Sequence, residues 1–549
     1  MPLDYYIEKY EEFMKNDRHG ERRTNSTTPT VLRSSLNEKQ RFAHDVFVAA
    51  VYQPPGSSST DDVLSNGIGR LQILAGQGGC GKTHVLNAIN TTLKALGIVG
   101  GNFATTGIAA VGIGGSTLHS YAWGFGIPIN VKEYKPLTGK TLRRLQKLHK
   151  DLKYIIIDEY SMLKQREKYY LHRRCCEIMG IFDVIFGGLA ILDVGDTGQL
   201  PPVKGVPLWE KKSKHADDKK GSLLYQKFTV VTRLTVNERL DTADDDAVAY
   251  AEILNRLHDG KNTRADAHLI NTMCSRHAMG QVAWRQKGFE SNTAMHLFTT
   301  NREVDKHNKW MIMKLGSPIA LVRADNKGDG SKASPKDTLN LENSMYIAVG
   351  ASVIITTNLC NSIVNGSRGI IKDIVYAEGV KAPDLPAIVW TEIDTYNGTS
   401  FFPDDPDRKK WFPIRPKTHT WWTEKRNKKR GEVTSGVEKN GWVEHSRTML
   451  PMRLSWALTI WKSQGQTIRS KVVLHLGKDE AEHGLTYTAF SRATRFSDVG
   501  ICDGFESSRF TKKIPRHAKM FPSLMEERRY DSLIDKTIQK FNLYSNINE

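Results

Sequence analysis

Apolar residues along this chain fall into short dense runs separated by amphipathic stretches. "RLQILAG" (70–76) is one such run, stopped by glycine, and its density predicts a buried strand. After it Val85, Leu86, Ile89, Leu93 and Leu96 recur at helical spacing, and Gly97 marks the end of the helix. "YIIIDE" (154–159) and "GGLAILDVGD" (187–196) are further runs that end in acids. Strand-like runs alternating with helices predict an α/β fold with a parallel sheet covered on both faces. In such sheets the chemistry gathers at the carboxyl ends of the strands.

The pattern changes along the chain. Residues 1–35 read as a polar lead-in or tail. A second αβ segment begins near "LFTTNREVDKHN" (297–308). Between about 350 and 450, "ASVIITT", "GIIKDIVYA" and "AIVWTEIDTY" predict strands with Gly- and Pro-rich turns, a small all-β insertion. "LTIWKSQGQTI" (458–468) resumes the αβ pattern and then breaks into a polar row, Lys462 to Thr467, longer than a turn requires. The tail after about 515 is charged. No solenoid-type repeat is present.

Composition adds a partner class. The 549 residues exceed what one hydrophobic core serves, so several domains are expected. Lys and Arg exceed Asp and Glu by 78 − 60 = 18, which points to a polyanion such as nucleic acid. The six cysteines (80, 175, 176, 274, 360 and 502) form no C-x-x-C pair, so neither a zinc module nor a disulfide framework is expected. No apolar run approaches the length of a membrane span. The start, "MPLDYYIEKYEEFMKN", fits neither a secretory signal nor a transit peptide, so an intracellular protein without membrane partners is expected.

The sharpest chemical signal is "GQGGCGKT" (76–83), which fits G-x-x-x-x-G-K-[ST] between a predicted strand and a predicted helix. Gly78, Gly79 and Gly81 are expected to let backbone N–H groups turn towards phosphate oxygens, and the helix start adds partial positive charge. Gly76, Cys80 and His84 complete the lining. Lys82 is expected on the β- and γ-phosphates of ATP and Thr83 on Mg²⁺. Asp158, at a strand end, is the second expected Mg²⁺ residue, and its neighbour Glu159 is placed to orient and deprotonate water. In "GDTGQLPPV" (195–203), Gln199 is a candidate γ-phosphate sensor.

At this point the ordered set resembles the petite-integration-frequency (Pif) family of superfamily 1B DNA helicases and their RecD-like relatives. "LNEKQ" (36–40) resembles the entry motif, which implies that Gln40 recognises adenine. "TTGIAAVGIGGSTLHS" (105–120) resembles a motif lying against single-stranded DNA, with Thr117 and His119 as candidate contacts; a hydrogen-bonded structural role for His119 stands beside that one. "LTVNERL" (234–240) and "YTAFSRAT" (487–494) would carry arginine fingers, Arg239 and Arg492. In "LTIWKSQGQTI" the resemblance implies DNA contacts from Trp461, Lys462, Ser463 and Gln464, with Gly465 near the nucleotide. The likeness covers roughly residues 36–500.

The implied architecture is two RecA-like P-loop NTPase lobes. Lobe one spans 36–235 with a small wedge-type insert at about 121–150. Lobe two spans 236–345 and 451–515, interrupted by an SH3-like all-β insert at 346–450; residues 516–549 form a C-terminal tail. The implied activity is ATP-dependent translocation on single-stranded DNA, 5′ to 3′, with unwinding of forked or structured duplex. The implied setting is replication, repair, recombination or telomere maintenance, with a monomer as the active unit. The alternative is a DNA-stimulated ATPase that remodels protein–DNA complexes without strand separation. Three departures bear on the choice: Trp461 stands where the family has His, Thr197 where it has an aromatic, and the helix at "MLKQREKYYLHRRCCEIM" matches the signature helix only loosely. A viral or transposon-borne member fits such departures. In "RKKWFPIRPKTHTWWTEKRNKKR" (408–430) the tryptophans are expected in the β-insert core and part of the charge on phosphate. "KRNKKR" (425–430) also reads as a nuclear-import patch, and the nucleus, or an infected cell, is the expected setting.

Overall fold

The computed structural model describes residues 3–19, 29–52, 68–424, 438–439, 442–503 and 509, apart from 122, 129, 130, 132, 211, 212, 239–242, 361, 467, 469, 478–481 and 483. The chain divides into two compact units, one of residues 21–289 and 463–549, the other of residues 1–20 and 290–462.

The first unit is built on six strands: β1 (Leu71–Gly76), β2 (Gly100–Ala104), β3 (Ser116–Thr117), β4 (Tyr154–Asp158), β5 (Ala190–Gly195) and β6 (Val230–Leu234). They lie in the order β3-β2-β4-β5-β1-β6, and every neighbouring pair is parallel. β1 and β5 are buried along their whole length, which is why they read as unbroken apolar runs rather than as alternation. Successive residues serve opposite faces. Leu74, Ile156 and Leu192 pack with Phe47 of helix Glu38–Tyr52 and with Val85 and Ile89 of helix Lys82–Ala95. Ile73, Ile155, Ile157 and Ile191 face the other way, onto Tyr170, Leu171 and Cys175 of helix Gln165–Met179. β1, β4 and β5 therefore deliver the phosphate loop, the acid pair and the "GDTGQ" loop to one edge of the sheet.

The second unit is β-rich. Strands Ser352–Ile355, Arg368–Val375, Ile388–Ile393, Trp411–Ile414 and Met452–Leu454 form an antiparallel sheet, as the strand-like runs of the insert predict. Strand Lys417–Glu424 pairs with Trp442–Met449 in a separate sheet. A parallel pair, Met295–Phe298 with Ala457–Thr459, packs with helix Asn301–Lys314.

Two expectations are corrected here. Residues 3–19 are not part of a polar tail: Leu3–His19 is a helix. Its Tyr6, Tyr10 and Phe13 fall on one stripe and pack on the β-rich core, Tyr6 at 5.0 Å from Trp390 and Phe13 at 5.7 Å from Phe412 between ring centroids. The tryptophans of 408–430 do not all fill that core. Trp421 stacks between His419 and His445, whereas Trp422 is 42% exposed, because adjacent strand residues point to opposite faces. Residues 425–430 lie outside the described residues.

Candidate nucleotide site

All the geometry of this site lies within the first unit. β1 ends at Gly76, and the loop from Gln77 leads into the helix that starts at Lys82, with Gly81 as its N-cap. Two glycines are required by contact as well as by φ. A Cβ on Gly79 (φ 91°) would stand 2.3 Å from Oδ1 of Asn237, and one on Gly81 (φ 77°) 2.4 Å from Nε2 of Gln40. Gly78 differs from them: its φ is not in the left-handed region, and a Cβ there would meet nothing within 4 Å. The protein's own fold therefore does not demand glycine at Gly78, because the loop's sharp turns fall on Gly79 and Gly81 instead. Cys80 is buried, and burial pushes its thiol up, so it acts as packing rather than as a nucleophile. Lys82 bends back over the loop and donates to the carbonyls of Gly76 (2.7 Å) and Gln77 (2.8 Å). The Thr83 side chain is exposed, and Nε2 of His84 lies 3.0 Å from Oγ of Ser35.

Gln40 has a local explanation that the sequence carries. Asn37 Oδ1 accepts from the Gln40 N–H (2.9 Å) and Gln40 Oε1 accepts from the Asn37 N–H (3.2 Å), a capping box that starts helix Glu38–Tyr52. The other end of the amide, Nε2, donates to the Cys80 carbonyl (3.3 Å) and so ties that helix to the phosphate loop.

The acid pair ends β4. Asp158 Oδ1 accepts from the Glu159 N–H at 2.9 Å. Glu159 is left-handed (φ 54°, ψ 38°), a conformation that costs a non-glycine residue energy and collects at functional sites. Burial, then the charge of Asp158, push the Glu159 carboxyl up to about 7; Lys82 and Arg492 pull the other way. Its Oε2 is buried without a hydrogen-bond partner among the described residues. Burial raises Asp158 too, against the pull of Lys82.

Asp196 closes β5 and organises the loop after it. Its carboxylate accepts from the Gly198 N–H (3.0 Å), from Gln199 Nε2 (3.2 Å), from His258 Nε2 (3.1 Å) and from the Tyr487 hydroxyl (2.7 Å). Burial alone would raise this acid. The bonds and charge of His258, with Lys82 and Tyr487, hold it well below the usual carboxylate range. Sequence reasoning singled out Gln199 but missed Asp196, His258 and Tyr487; only the position of Asp196 at a strand end was a signal.

Arg492 is buried. Its guanidinium donates to the carbonyls of Ser463 (3.2 Å), Gln466 (3.0 Å) and Thr488 (3.2 Å). Burial lowers its affinity for the proton, and the charge of Glu159 is the largest influence restoring it. Gly465 (φ 74°) lies beside Glu159: a Cβ there would be 3.6 Å from Oε1. Arg239 lies outside the described residues.

The expected DNA-contact residues are scattered in character. Thr117 lies half-buried in β3, and His119 Nδ1 donates to the Ile127 carbonyl (3.0 Å), the structural role foreseen for it. Ser463 and Gln464 are buried, with Gln464 Nε2 donating to the Leu200 carbonyl (3.5 Å). In the second unit, the turn Ile460–Ser463 leaves Trp461 half-buried and Lys462 exposed.

The PIF1-like helicase family matches residues 58–268. An "ATP-dependent DNA helicase Pif1" from Psychrobacter is 24% identical over 460 residues, which cover 78% of this chain. The chain spans 65% of that relative's length and 55% of the Emericella nidulans relative's, to which it is 26% identical. The crystal structure of the Candida albicans Pif1 helicase superposes with a TM-score of 0.62 at 22% identity, covering 89% of this chain and 98% of that one. That likeness shows the fold: α/β, with a parallel sheet flanked by helices and, beside it, antiparallel β-sheets. Family match, fold and ordered residues converge on a similarity to the PIF1-like helicases.

Proposed function

We propose that this chain is an ATP-dependent DNA helicase that translocates 5′ to 3′ on single-stranded DNA. The observation that carries the reading is Glu159: a half-buried residue with a left-handed backbone whose buried Oε2 has no hydrogen-bond partner among the described residues, beside a phosphate loop and in the field of Lys82 and Arg492. A Bacteroides Pif1 of related fold has been solved with ADP-AlF3 and single-stranded DNA (TM-score 0.59, 21% identity, covering 84% of this chain), which supports the same two ligands here.

The residues present fit nucleotide and metal. The loop is a cradle that a Cβ at Gly79 or Gly81 would obstruct, while the open space beside Gly78 leaves room for a phosphate to approach the backbone. Among the described residues Lys82 bonds to loop carbonyls, which it can exchange for phosphate oxygens. The hard oxygens of Thr83 and Asp158 suit Mg²⁺, and Asp158 Oδ2 accepts no hydrogen bond among the described residues. Bound there, Mg²⁺ would neutralise charge on the phosphate oxygens. Glu159, poised near neutrality, takes the proton of the attacking water. Arg492 presents its fork of donors to the charge that develops on the transferring group. Gln40 recognises adenine, and Arg239 serves as a second finger. Thr117, His119, Trp461, Lys462, Ser463 and Gln464 line the DNA path, and closure of the RecA-like lobes couples hydrolysis to stepping.

Strand displacement on a 5′-tailed duplex tests this. ATP should drive unwinding of that substrate and not of a 3′-tailed one. ATP hydrolysis without strand separation would refute the helicase reading and leave a DNA-stimulated ATPase.

A further inference from the structure

Resting on the nucleotide reading above, we propose that His258 is a positioning residue for ATP turnover. With Tyr487 it clamps Asp196, so that Gln199 presents its carbonyl oxygen to the nucleotide site in register with the helix that leads to Arg492. His258 belongs to helix Asp245–Asp259 and to none of the sequence motifs.

The argument starts from what a carboxylate can do. Ionised Asp196 only accepts hydrogen bonds, and its four partners fill its oxygens. The end of the Gln199 amide that faces it must therefore be the NH2. That fixes the other end: Oε1 is the atom left over, buried and without a partner among the described residues. An acceptor so placed suits a water hydrogen. If Asp196 became protonated it could donate, and the amide would be free to turn its oxygen towards the acid.

His258 prevents this. Its ring lies between Asp196 and Asp259, with Nδ1 at 3.0 Å from Asp259 and at 3.2 Å from the Arg233 guanidinium, which itself bonds Asp259 at 2.6 Å. Tyr487 meets the ring edge-on at 5.3 Å between centroids. The charged or titratable groups around it are thus Asp196 on the β5 loop, Arg233 on β6, Asp259 on its own helix and Tyr487 on helix Leu485–Phe490. Burial lowers His258, but the two carboxylates more than offset it and carry the imidazole up to about 9. Packing reinforces the electrostatics, since a Cβ on Gly198 would stand 2.3 Å from the ring. The clamp also reaches the arginine helix, because Leu200 N–H donates to Thr488 Oγ1 (3.2 Å) and Thr488 O accepts from Arg492.

The experiment compares wild type, His258→Leu and His258→Arg in ATP turnover with saturating single-stranded DNA from pH 6 to about 10. Binding of a fluorescent ADP and thermal midpoints are measured alongside, and the imidazole is titrated by NMR. Loss of a charge-assisted bond predicts that His258→Leu lowers kcat by about ten- to a hundredfold while ADP affinity changes by less than about threefold. The permanent cation of His258→Arg should restore most of kcat and lack the decline that wild type shows as pH passes about 9. In Asp196→Asn the His258 titration should fall back towards the ordinary imidazole range. A His258→Leu enzyme within about twofold of wild type overturns the proposal. So does a fall that merely tracks a lowered thermal midpoint and is not rescued by Arg. Failure of the nucleotide reading looks different: wild type would hydrolyse no ATP at any pH while the titration still ended near 9, and the proposal would fall with it.

Discussion

Lys168 and Asp193 offer the most exacting test of how this sheet is held. Lys168 lies on the helix after the acid pair and Asp193 lies within β5, and both side chains are fully buried. The ammonium is 2.8 and 2.5 Å from the two carboxylate oxygens, with the Phe228 ring 4.1 Å from Nζ. Burial drives the amine down and the acid up, each restrained by its partner. Charges about 3 Å apart at an effective dielectric of about 20 attract by about 5.5 kcal/mol. Desolvation costs several kcal/mol per ion, so the pair is close to neutral overall. Removing one partner is different, because the orphan must give up its charge. At pH 7 that costs about 4 kcal/mol for a carboxylate of ordinary pKa about 3.9, and about 4.6 kcal/mol for an amine of about 10.4. Lys168→Met and Asp193→Val should each lose about that much, whereas the double variant should sit within about 2 kcal/mol of wild type or above it. The pH slopes are opposite in sign. Lys168→Met leaves an acid raised in the folded state, so its deficit shrinks as pH falls, to about 1.5 kcal/mol at pH 5. Asp193→Val leaves a lowered amine, so its deficit shrinks as pH rises, to about 2 kcal/mol at pH 9. Urea titrations read by hydrogen exchange of the β5 amides measure this locally. Single losses under about 1 kcal/mol, parallel slopes, or a double variant worse than either single would refute the reasoning.

Lys82→Ala and Glu159→Gln should each lower ATP turnover by roughly a thousandfold or more while single-stranded DNA affinity, read by anisotropy, holds within about threefold; turnover near wild type would refute the assigned roles. Gly198→Ala should collide with His258 and lower kcat in the same direction as His258→Leu, measured in the same assay. His258 also makes stability depend on pH. Its folded pKa of about 9 exceeds the unfolded value of about 6.5, so its contribution is complete below about 6.5 and fades as pH rises through about 9, and His258→Leu should remove that part of the alkaline decline in urea midpoints. Phe13→Ala should destabilise the β-rich unit by about 2–3 kcal/mol, checked by its thermal midpoint; no shift would mean that helix Leu3–His19 does not hold to that core.

What could be read from the sequence follows the reach of each interaction. β1, β4 and β5 were legible because strands buried on both faces write themselves as apolar runs, and the phosphate loop because its contacts close within a few residues. Helix Leu3–His19 was not, since its aromatic stripe is interleaved with charges and the rings it meets lie nearly 400 residues away. The clamp on Asp196 failed to show for the same reason: His258 and Tyr487 stand 62 and 291 positions from it. The polar row after Trp461 had a visible pattern whose cause was hidden. It exceeds a turn because its groups meet three other segments. The carbonyls of Ser463 and Gln466 receive Arg492, the Gln464 amide reaches the carbonyl of Leu200, and Gly465 leaves room beside Glu159. The acceptors that this row gives the buried guanidinium are main-chain carbonyls, so what serves Arg492 is a backbone course that aims them at it; without such acceptors a buried cation is costly. The turn of that row is therefore matched to Arg492, while Gly465 brings it beside Glu159 and Gln464 ties it to the loop after β5.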